Sequence, residues 1–279
     1  MKYILTLLLL WSIGSKAQTE LKFDHALIDC EDKWVAFPMN KDSTYNFGFI
    51  YLDKMAGLTL NVEGTFKIDA KGNYEAKKII NSSVKHRIPP TKVLAALIPL
   101  TKFSELQIKE IPDWLHFYKT SDTDVNRIFR LGFVYNQWDL AEKALINLEK
   151  VKAINPKYNG LSFEFAFAYN VLKQYDKAAK VLKEAIVENP KDCLLYKELV
   201  YAQLNVKLTD AEETYRDADK NCSDNAYKSE MAHNIAYHYY LLKNKQKFNY
   251  WGEEVTKYSK PEDQFSQKLK LMRAEMDKL

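Results

Sequence analysis

The spacing of hydrophobic residues along the chain changes near its middle. Over residues 58–68, apolar and polar side chains alternate one for one, which is typical of a half-buried β-strand. Gly64 interrupts this alternation and predicts a bulge or bend there. Similar patterns predict three further strands, at residues 34–37, 47–51 and 74–80. We therefore expect the first part of the chain to form a small antiparallel β domain with a core of its own.

The same spacing suggests where the domains begin and end. We expect the β-rich domain to span residues 18–110, with residues 93–98 forming either a last strand or a short helix. Residues 111–121 are too aromatic for a free linker and are expected to pack against the helical region that follows. That region covers residues 122–258, and the apolar stripe of residues 259–279 predicts a capping helix. The expected fold class is α+β, with an N-terminal β-rich domain and an all-α C-terminal part.

The helical region repeats itself at a constant interval. Residues 131–136 read LGFVYN, residues 165–170 read FAFAYN, and a looser copy occupies residues 199–205. The same interval separates Pro156 from Pro190. A fixed period of this size predicts helix pairs that cannot bury their apolar faces alone and therefore stack on one another as a solenoid.

These repeats resemble tetratricopeptide repeats, in which two antiparallel helices, A and B, form each unit. The second repeat matches the family best, with Phe165, Ala166 and Tyr169 in helix A and a terminal Pro190 after helix B. The first repeat also matches, although we expect its helix B to be about one turn longer. Weaker third and fourth repeats follow. The resemblance covers roughly residues 122–258, and it implies a scaffold that binds a protein or an extended peptide.

The resemblance also implies a concave groove lined by helix A, with two positions in each repeat pointing into it. These positions hold, in chain order, Phe129, Phe163, Lys197 and His233 at the first and Phe133, Phe167, Tyr201 and Tyr237 at the second. Amide side chains are expected on the same side, at Asn136, Asn170 and Asn205. Aromatic rings beside amides suit an extended peptide, because rings bury apolar side chains while amides bond the peptide backbone.

Several alternatives remain open for this groove and for the function. The family's clamp for acidic chain ends uses asparagines where this chain has Phe133 and Phe167, so that specificity is not expected here. The β-rich domain or residues 111–121 can dock on the groove, or the helix register can differ from the one assigned. The leading hypothesis is a non-enzymatic interaction scaffold. Its rivals are an envelope enzyme with its site in the β-rich domain and repeats that recruit substrate, and a structural subunit of an envelope assembly.

Residues 1–17 have the pattern of a secretory signal peptide. Lys2 precedes an apolar stretch at residues 3–14, and the small residues Ser15 and Ala17 precede the expected cleavage point. A membrane anchor is the alternative, but a spanning helix needs about 20 apolar residues. We expect the mature protein to begin at Gln18, without a stable membrane span. Its expected location is periplasmic or secreted, because the domain pairing resembles exported proteins of Gram-negative bacteria.

The net charge bears on the class of partner, and the cysteines bear on a possible disulfide. The formal net charge of +4 falls to about +2 without the leader, and no long basic run occurs, so nucleic acid is not an expected partner. Of the three cysteines, Cys193 opens the third repeat and Cys222 follows its second helix. The two ends of a helix pair lie side by side, so these cysteines can form a disulfide. Three free thiols are the alternative.

The chain lacks the sequence patterns of common catalytic and metal sites. It has five histidines, and they are scattered. Glu230 and His233 lie on one helix face, but a zinc site needs three or four converging ligands. The mature chain contains no Gly-rich phosphate loop, no nucleophile elbow and no HExxH pattern. We therefore expect no catalytic residue, no metal and no cofactor.

Overall fold

The structure is a computed structural model that describes residues 21–80 and 82–278. The predicted leader and its cleavage point lie outside the described residues. The chain divides between Lys119 and Thr120 into two compact units, a β unit and a helical unit. Residues 111–119, which the sequence suggested as part of a separate packing segment, belong to the β unit.

The β unit is built on one antiparallel sheet. Its strands, within the described residues, are β1 (His25–Ala26), β2 (Lys33–Ala36), β3 (Tyr45–Asp53), β4 (Gly57–Ile68), β5 (Tyr74–Lys78), β6 (Val84–Arg87) and β7 (Leu94–Leu97). Their order in the sheet is β1-β7-β2-β3-β4-β5, and β6 also pairs with β4. The ambiguous residues 93–98 thus contain a strand, because β1 and β2 both pair with it.

The longest strand, β4, carries the bulge predicted at Gly64. Phe47 of β3 faces Gly64, whereas the next residue, Gly48, faces Val62, so Glu63 is an extra residue on β4. A side chain at Gly64 would clash with the Lys77 carbonyl of β5. A residue without a Cβ is therefore needed where the bulge brings two backbones together.

Aromatic side chains form the core on one face of the sheet. Phe66 and Tyr74 stack with their ring centroids 4.6 Å apart. Trp114 meets Tyr51 edge-on at 5.3 Å, and Tyr118 packs against the same core. The aromatic side chains of this segment therefore complete the sheet core, and its packing against the helical region stays a prediction. The physical reason is that Tyr51 and its neighbours on β3 offer these rings a surface on which to be buried.

The helical unit consists of paired helices. In the described residues these are α1 (Val125–Gln137), α2 (Ala141–Ile154), α3 (Leu161–Val171), α4 (Tyr175–Glu188), α5 (Cys193–Leu204), α6 (Leu208–Asn221), α7 (Asn225–Leu241), α8 (Lys245–Tyr258) and α9 (Gln264–Met276). Short turns join α1 to α2, α3 to α4, α5 to α6 and α7 to α8, and the members of each pair pack together. This arrangement confirms the predicted stack of helical hairpins.

Caps and turns show how the sequence defines these helices. Asp124, Asp192 and Asp224 accept hydrogen bonds from backbone N–H groups at the starts of α1, α5 and α7. Asp139 and Lys173, at equivalent positions of successive repeats, both have φ of 56° in the turns after α1 and α3. Helices α2 and α4 each contain 14 residues. The expectation of a longer helix B in the first repeat is therefore wrong, because the two turns are equivalent.

Small residues allow the helices to pack closely. A Cβ at Gly132 would lie 2.7 Å from Leu148 of α2, and Ala166 and Ala178 have no exposed surface. Helix α9 packs on α7 and α8 through the buried Leu269, as expected of a capping helix. In the part of the chain that the structure describes, no helix combines the length and apolarity needed to span a bilayer.

Cys193 and Cys222 lie in one core cluster as two free thiols. Burial, followed by a hydrogen bond between the two thiols, raises the pKa of Cys222 to about 12. The fold thus places the two thiols within hydrogen-bonding reach of each other, and the disulfide between them stays a prediction. Proximity depends on the fold, whereas forming the bond requires thiol oxidation.

Candidate functional site

The first helices of the four pairs (α1, α3, α5 and α7) present equivalent side chains at nearly constant intervals along the chain. Three positions, each one helical turn apart, recur on them. They hold Phe129, Phe163, Lys197 and His233 at the first position, Phe133, Phe167, Tyr201 and Tyr237 at the second, and Gln137, Val171, Asn205 and Leu241 at the third. We call the surface formed by these three positions the helix-A groove.

The second position of the groove carries a row of accessible rings. Tyr201 is 45% exposed and Tyr237 is 44% exposed, while Phe133 and Phe167 are half-buried. The Phe163 and Phe167 rings lie 6.4 Å apart between centroids. Within the helical unit these side chains are therefore only partly packed, which leaves apolar surface that a partner can cover.

Side chains at the first position of the groove are more buried, and the capping helix covers the last of them, His233. Phe129 is half-buried, with its ring centroid 4.6 Å from that of Tyr158. His233 is buried, and its ring lies 5.0 Å from the Phe265 ring at the start of α9. Burial lowers the pKa of His233. His233, which was predicted to contact the partner, is thus covered by the cap, because α9 takes the place that a further repeat would occupy.

The three predicted amides do not share one face. Asn136 and Asn170 are buried, whereas Asn205 is exposed. The equivalent of Asn170 in the third repeat is Leu204, so Asn205 lies one residue further along the helix. One residue rotates a side chain by about 100° around a helix axis. Asn136 and Asn170 therefore lie at the buried boundary between repeats, where Asn170 also lines the cleft described below, and Asn205 occupies the third position of the groove.

The buried asparagines join neighbouring repeats. Asn136 Nδ2 donates to Glu164 Oε2 at 2.7 Å, and Asn170 Nδ2 donates to Glu198 Oε2 at 3.3 Å. Burial raises the pKa of Glu164, the hydrogen bond from Asn136 opposes that shift, and the charge of Glu198 adds to it. Sequence reasoning missed these two glutamates. Their recurrence at the repeat period, in an otherwise apolar helix face, was the available signal.

A cleft of about 240 Å³ opens at the centre of the groove, across α3, α5 and α7. Its lining residues are Phe167, Asn170, Val171, Lys197, Glu198, Tyr201, Glu230 and Asn234. Lys197 Nζ lies 2.9 Å from Glu198 and 4.0 Å from Glu230. The cleft thus combines aromatic walls with three charged groups that are only partly accessible to water.

The β unit offers little convergent chemistry by comparison. It has a cleft of about 350 Å³ in which His86 is the one titratable group among the described lining residues, beside Asn46 and five apolar side chains. No group of three or more histidine, cysteine or acidic side chains suited to a metal ion occurs in residues 21–80 and 82–278.

No protein-family model and no curated protein matches this chain. A tetratricopeptide repeat protein from Parabacteroides merdae superposes with a TM-score of 0.43 and 14% identity, over 62% of this chain and 63% of that one. The chain thus spans less than two thirds of that protein's length. MamA from Desulfovibrio magneticus has a TM-score of 0.42 and 18% identity, over 49% of this chain and 75% of that one. MamA of AMB-1 has a TM-score of 0.41 and 17% identity, over 50% and 82% of the two chains.

Scores this low add no argument about function. The architecture follows from the chain's own features: paired helices, a constant repeat period, small residues at the helix contacts and a closing cap. The C-terminal half of this protein is a tetratricopeptide-like solenoid.

Proposed function

We propose that this protein is a non-enzymatic interaction scaffold that holds an extended segment of a partner protein in the helix-A groove. The observation that carries the proposal is the row of partly exposed rings at Phe133, Phe167, Tyr201 and Tyr237. Large rings at regular intervals give a partner several anchor points with little loss of side-chain freedom. The adjacent cleft is smaller than the roughly 300–1,000 Å³ of most small-molecule sites, which favours single side chains of a peptide as its occupants.

The decisive experiment compares the native protein with groove and control variants. Affinity capture from the native envelope is carried out with the wild type, with a Phe133→Ala, Phe167→Ala double variant, and with a Val187→Ala control. Val187 is 82% exposed on α4, a second helix of a pair. A partner that the groove holds should bind the double variant at least about 1–2 kcal/mol more weakly, roughly 5–30-fold, and should bind the control normally.

Stability measurements on the same variants test the premise. Truncating a fully buried Phe costs about 3–5 kcal/mol, so each half-buried ring should cost well under that amount. A cost of that full size for both rings would mean that this chain itself buries them, as docking of the β unit on the groove requires. The proposal would then fail.

We further propose that the protein works outside the cytoplasm, in the periplasm or as a secreted protein. The support is the leader pattern of residues 1–17. Mass spectrometry of the N-terminus in protein purified from the native host should find Gln18 as the first residue. An intact Met1 in protein recovered from the membrane would contradict export with cleavage.

A further inference from the structure

The cleft at the centre of the helix-A groove contains more negative than positive charge. Among the residues that line it in the described part of the chain, Glu198 and Glu230 share one cation, Lys197, whose Nζ lies 2.9 and 4.0 Å from their carboxylate oxygens. Glu164 lies buried nearby, and its charge and that of Glu198 affect each other. Glu164 accepts a hydrogen bond from Asn136, and no lysine, arginine or histidine among the described residues pairs with it. Within the described lining of the cleft, two carboxylates thus face one ammonium group.

One residue that lines the cleft has a buried side-chain oxygen to which no described group donates a hydrogen bond. Asn170 is 6% exposed and lines the cleft. Its Nδ2 donates to Glu198 Oε2, and because an ionised carboxylate only accepts hydrogen bonds, the orientation of the amide is determined. The remaining atom, Asn170 Oδ1, is buried and has no hydrogen-bond partner among the residues that the structure describes. A buried acceptor in this state is stabilised by any ligand that brings an N–H group to it.

The walls of the cleft suit a cation as well. Phe167 and the 45% exposed Tyr201 present aromatic rings to it. The face of an aromatic ring attracts a positive charge, and a planar guanidinium group can also stack on it. Surplus carboxylate, an unpaired carbonyl oxygen and aromatic walls all favour the same kind of ligand.

We propose that this cleft binds the cationic side chain, preferably arginine, of the partner segment that the groove holds. This inference rests on the proposed function. The guanidinium group supplies several N–H donors in one plane, which serve the Glu230 carboxylate and Asn170 Oδ1 together while the plane lies against Tyr201. Lysine fits the charge but offers a single nitrogen. The opposite arrangement, in which Lys197 binds an acidic segment, must place a further negative charge beside the carboxylates of Glu198 and Glu230.

The experiment uses the full-length protein and a display library of randomised short peptides. The library is selected on the wild-type protein, and peptides that survive are tested individually by fluorescence polarisation. We expect arginine, and more weakly lysine, to be enriched at one position. Replacing that residue with glutamine should weaken binding about tenfold, as for loss of one charge-assisted hydrogen bond.

Three variants locate the charge effect. Glu230→Gln should weaken the selected peptides about tenfold and should reduce the difference between their arginine and glutamine forms. Glu184→Gln, at an exposed position on α4, is the matched control and should change neither. Lys197→Met should preserve or strengthen binding of the arginine peptides, because it removes the competing cation. Circular dichroism confirms that each variant keeps its helices.

The outcomes separate this inference from the proposed function. If the selected peptides lose affinity with Phe167→Ala and Tyr201→Ala but show no preference for arginine or lysine, the groove is real and the cation site is wrong. Enrichment of aspartate or glutamate, together with lost binding in Lys197→Met, would overturn it in favour of an acidic ligand. If no peptide depends on the groove rings, both proposals fail.

Discussion

The two units of this protein differ in whether their aromatic residues include a regular, accessible row. In the β unit, Phe47, Phe66 and Tyr74 are at most 4% exposed, and their rings contact one another across one face of the sheet. In the helical unit, Tyr201 and Tyr237 recur at equivalent positions and are each more than 40% exposed. The β unit thus buries these rings in a core of its own, whereas the helical unit leaves a regular row of rings accessible to a partner.

This difference follows from how each architecture buries apolar surface. Every second side chain of a strand points to the same face of its sheet, and Phe47, Phe49 and Tyr51 of β3 are buried in this way in one aromatic core. A stack of helix pairs buries the stripes between neighbouring repeats, where small residues such as Ala166 and Ala178 let the helices approach closely. The stripe facing the groove has no neighbouring repeat, so a large residue there is not explained by packing. Function is therefore easier to locate in the helical unit.

The largest expected effect is the difference in stability between removing a ring from the β core and removing one from the groove. Phe66→Ala should destabilise the β unit by about 3–5 kcal/mol, because it leaves a cavity among stacked rings. Tyr201→Ala should cost the helical unit less than about 1 kcal/mol, since nearly half of the side chain is already in water. Hydrogen exchange read by mass spectrometry follows both units in one sample. Equal losses at the two sites would contradict the contrast drawn between the units.

Oxidation should affect the two units differently. Cys30 of the β unit is buried, and its thiol donates to the Ala26 carbonyl, whereas Cys193 and Cys222 touch each other. A mild oxidant should join Cys193 to Cys222 and stabilise the helical unit by up to about 3–4 kcal/mol, the value of the chain-entropy model for a loop of roughly 30 residues. Peptide mapping without reductant identifies the bridge. A Cys193→Ser variant should show no gain, and a wild type that oxidises without any gain would contradict the predicted stabilisation.

Polar burial in the helical unit also holds the last two repeats together. Glu212 is buried and accepts hydrogen bonds from Tyr239 at 2.6 Å, Lys247 at 3.0 Å and Trp251 at 3.2 Å. Glu212→Ala should cost about 2–3 kcal/mol, because buried donors lose their acceptor. Glu212→Gln should cost less, since its amide oxygen still accepts. Urea unfolding monitored by circular dichroism measures the free energy of unfolding of both variants. A larger loss of stability in Glu212→Gln than in Glu212→Ala would contradict this prediction.

The smallest expected effect compares two buried glutamates by their pH dependence. Burial raises the pKa of Glu164 despite the Asn136 bond, so its native-state pKa lies above the unfolded value of about 4.3. The stability that Glu164 contributes is fully present below that pH and is lost as the pH rises through the native pKa. Glu164→Gln cannot ionise, so it should stabilise the protein most, relative to the wild type, at neutral pH. Thermal melts across the pH range measure this gain. A gain that shrinks as the pH rises would contradict the assignment.

Glu212 provides the opposite case. Burial raises its pKa, but the hydrogen bonds from Tyr239, Lys247 and Trp251 together outweigh burial and lower it. Its stabilising contribution should be present above the unfolded value of about 4.3 and lost as the pH falls through the lowered native pKa. The Glu212→Gln variant should therefore lose less stability than the wild type on acidification. If the melting temperatures of Glu164→Gln and Glu212→Gln change in parallel with pH, the two sites do not differ as predicted.

Some features could be predicted residue by residue. The alternation along residues 58–68 identified β4 and its bulge at Gly64, and the repeat period identified the helix pairs. The stretch at residues 93–98 could not be assigned, because a short apolar run suits a strand or a helix, and pairing with β1 and β2 decides between them. The contact of Trp114 could not be assigned either, because the ring it meets, that of Tyr51, lies far away along the chain.

The sequence by itself determined the local and periodic features of this protein: strand alternation, helix period, caps and the recurrence of rings on the first helix of each pair. Only the tertiary structure decided which polar groups are buried together. Asn136 meets Glu164, and Asn170 meets Glu198, across a boundary between repeats. The exposed Asn205 lies only one residue further along its helix than the position equivalent to these buried amides. Periodicity specifies which face of a helix is apolar, but the pairing of polar atoms depends on how two helices approach each other in space.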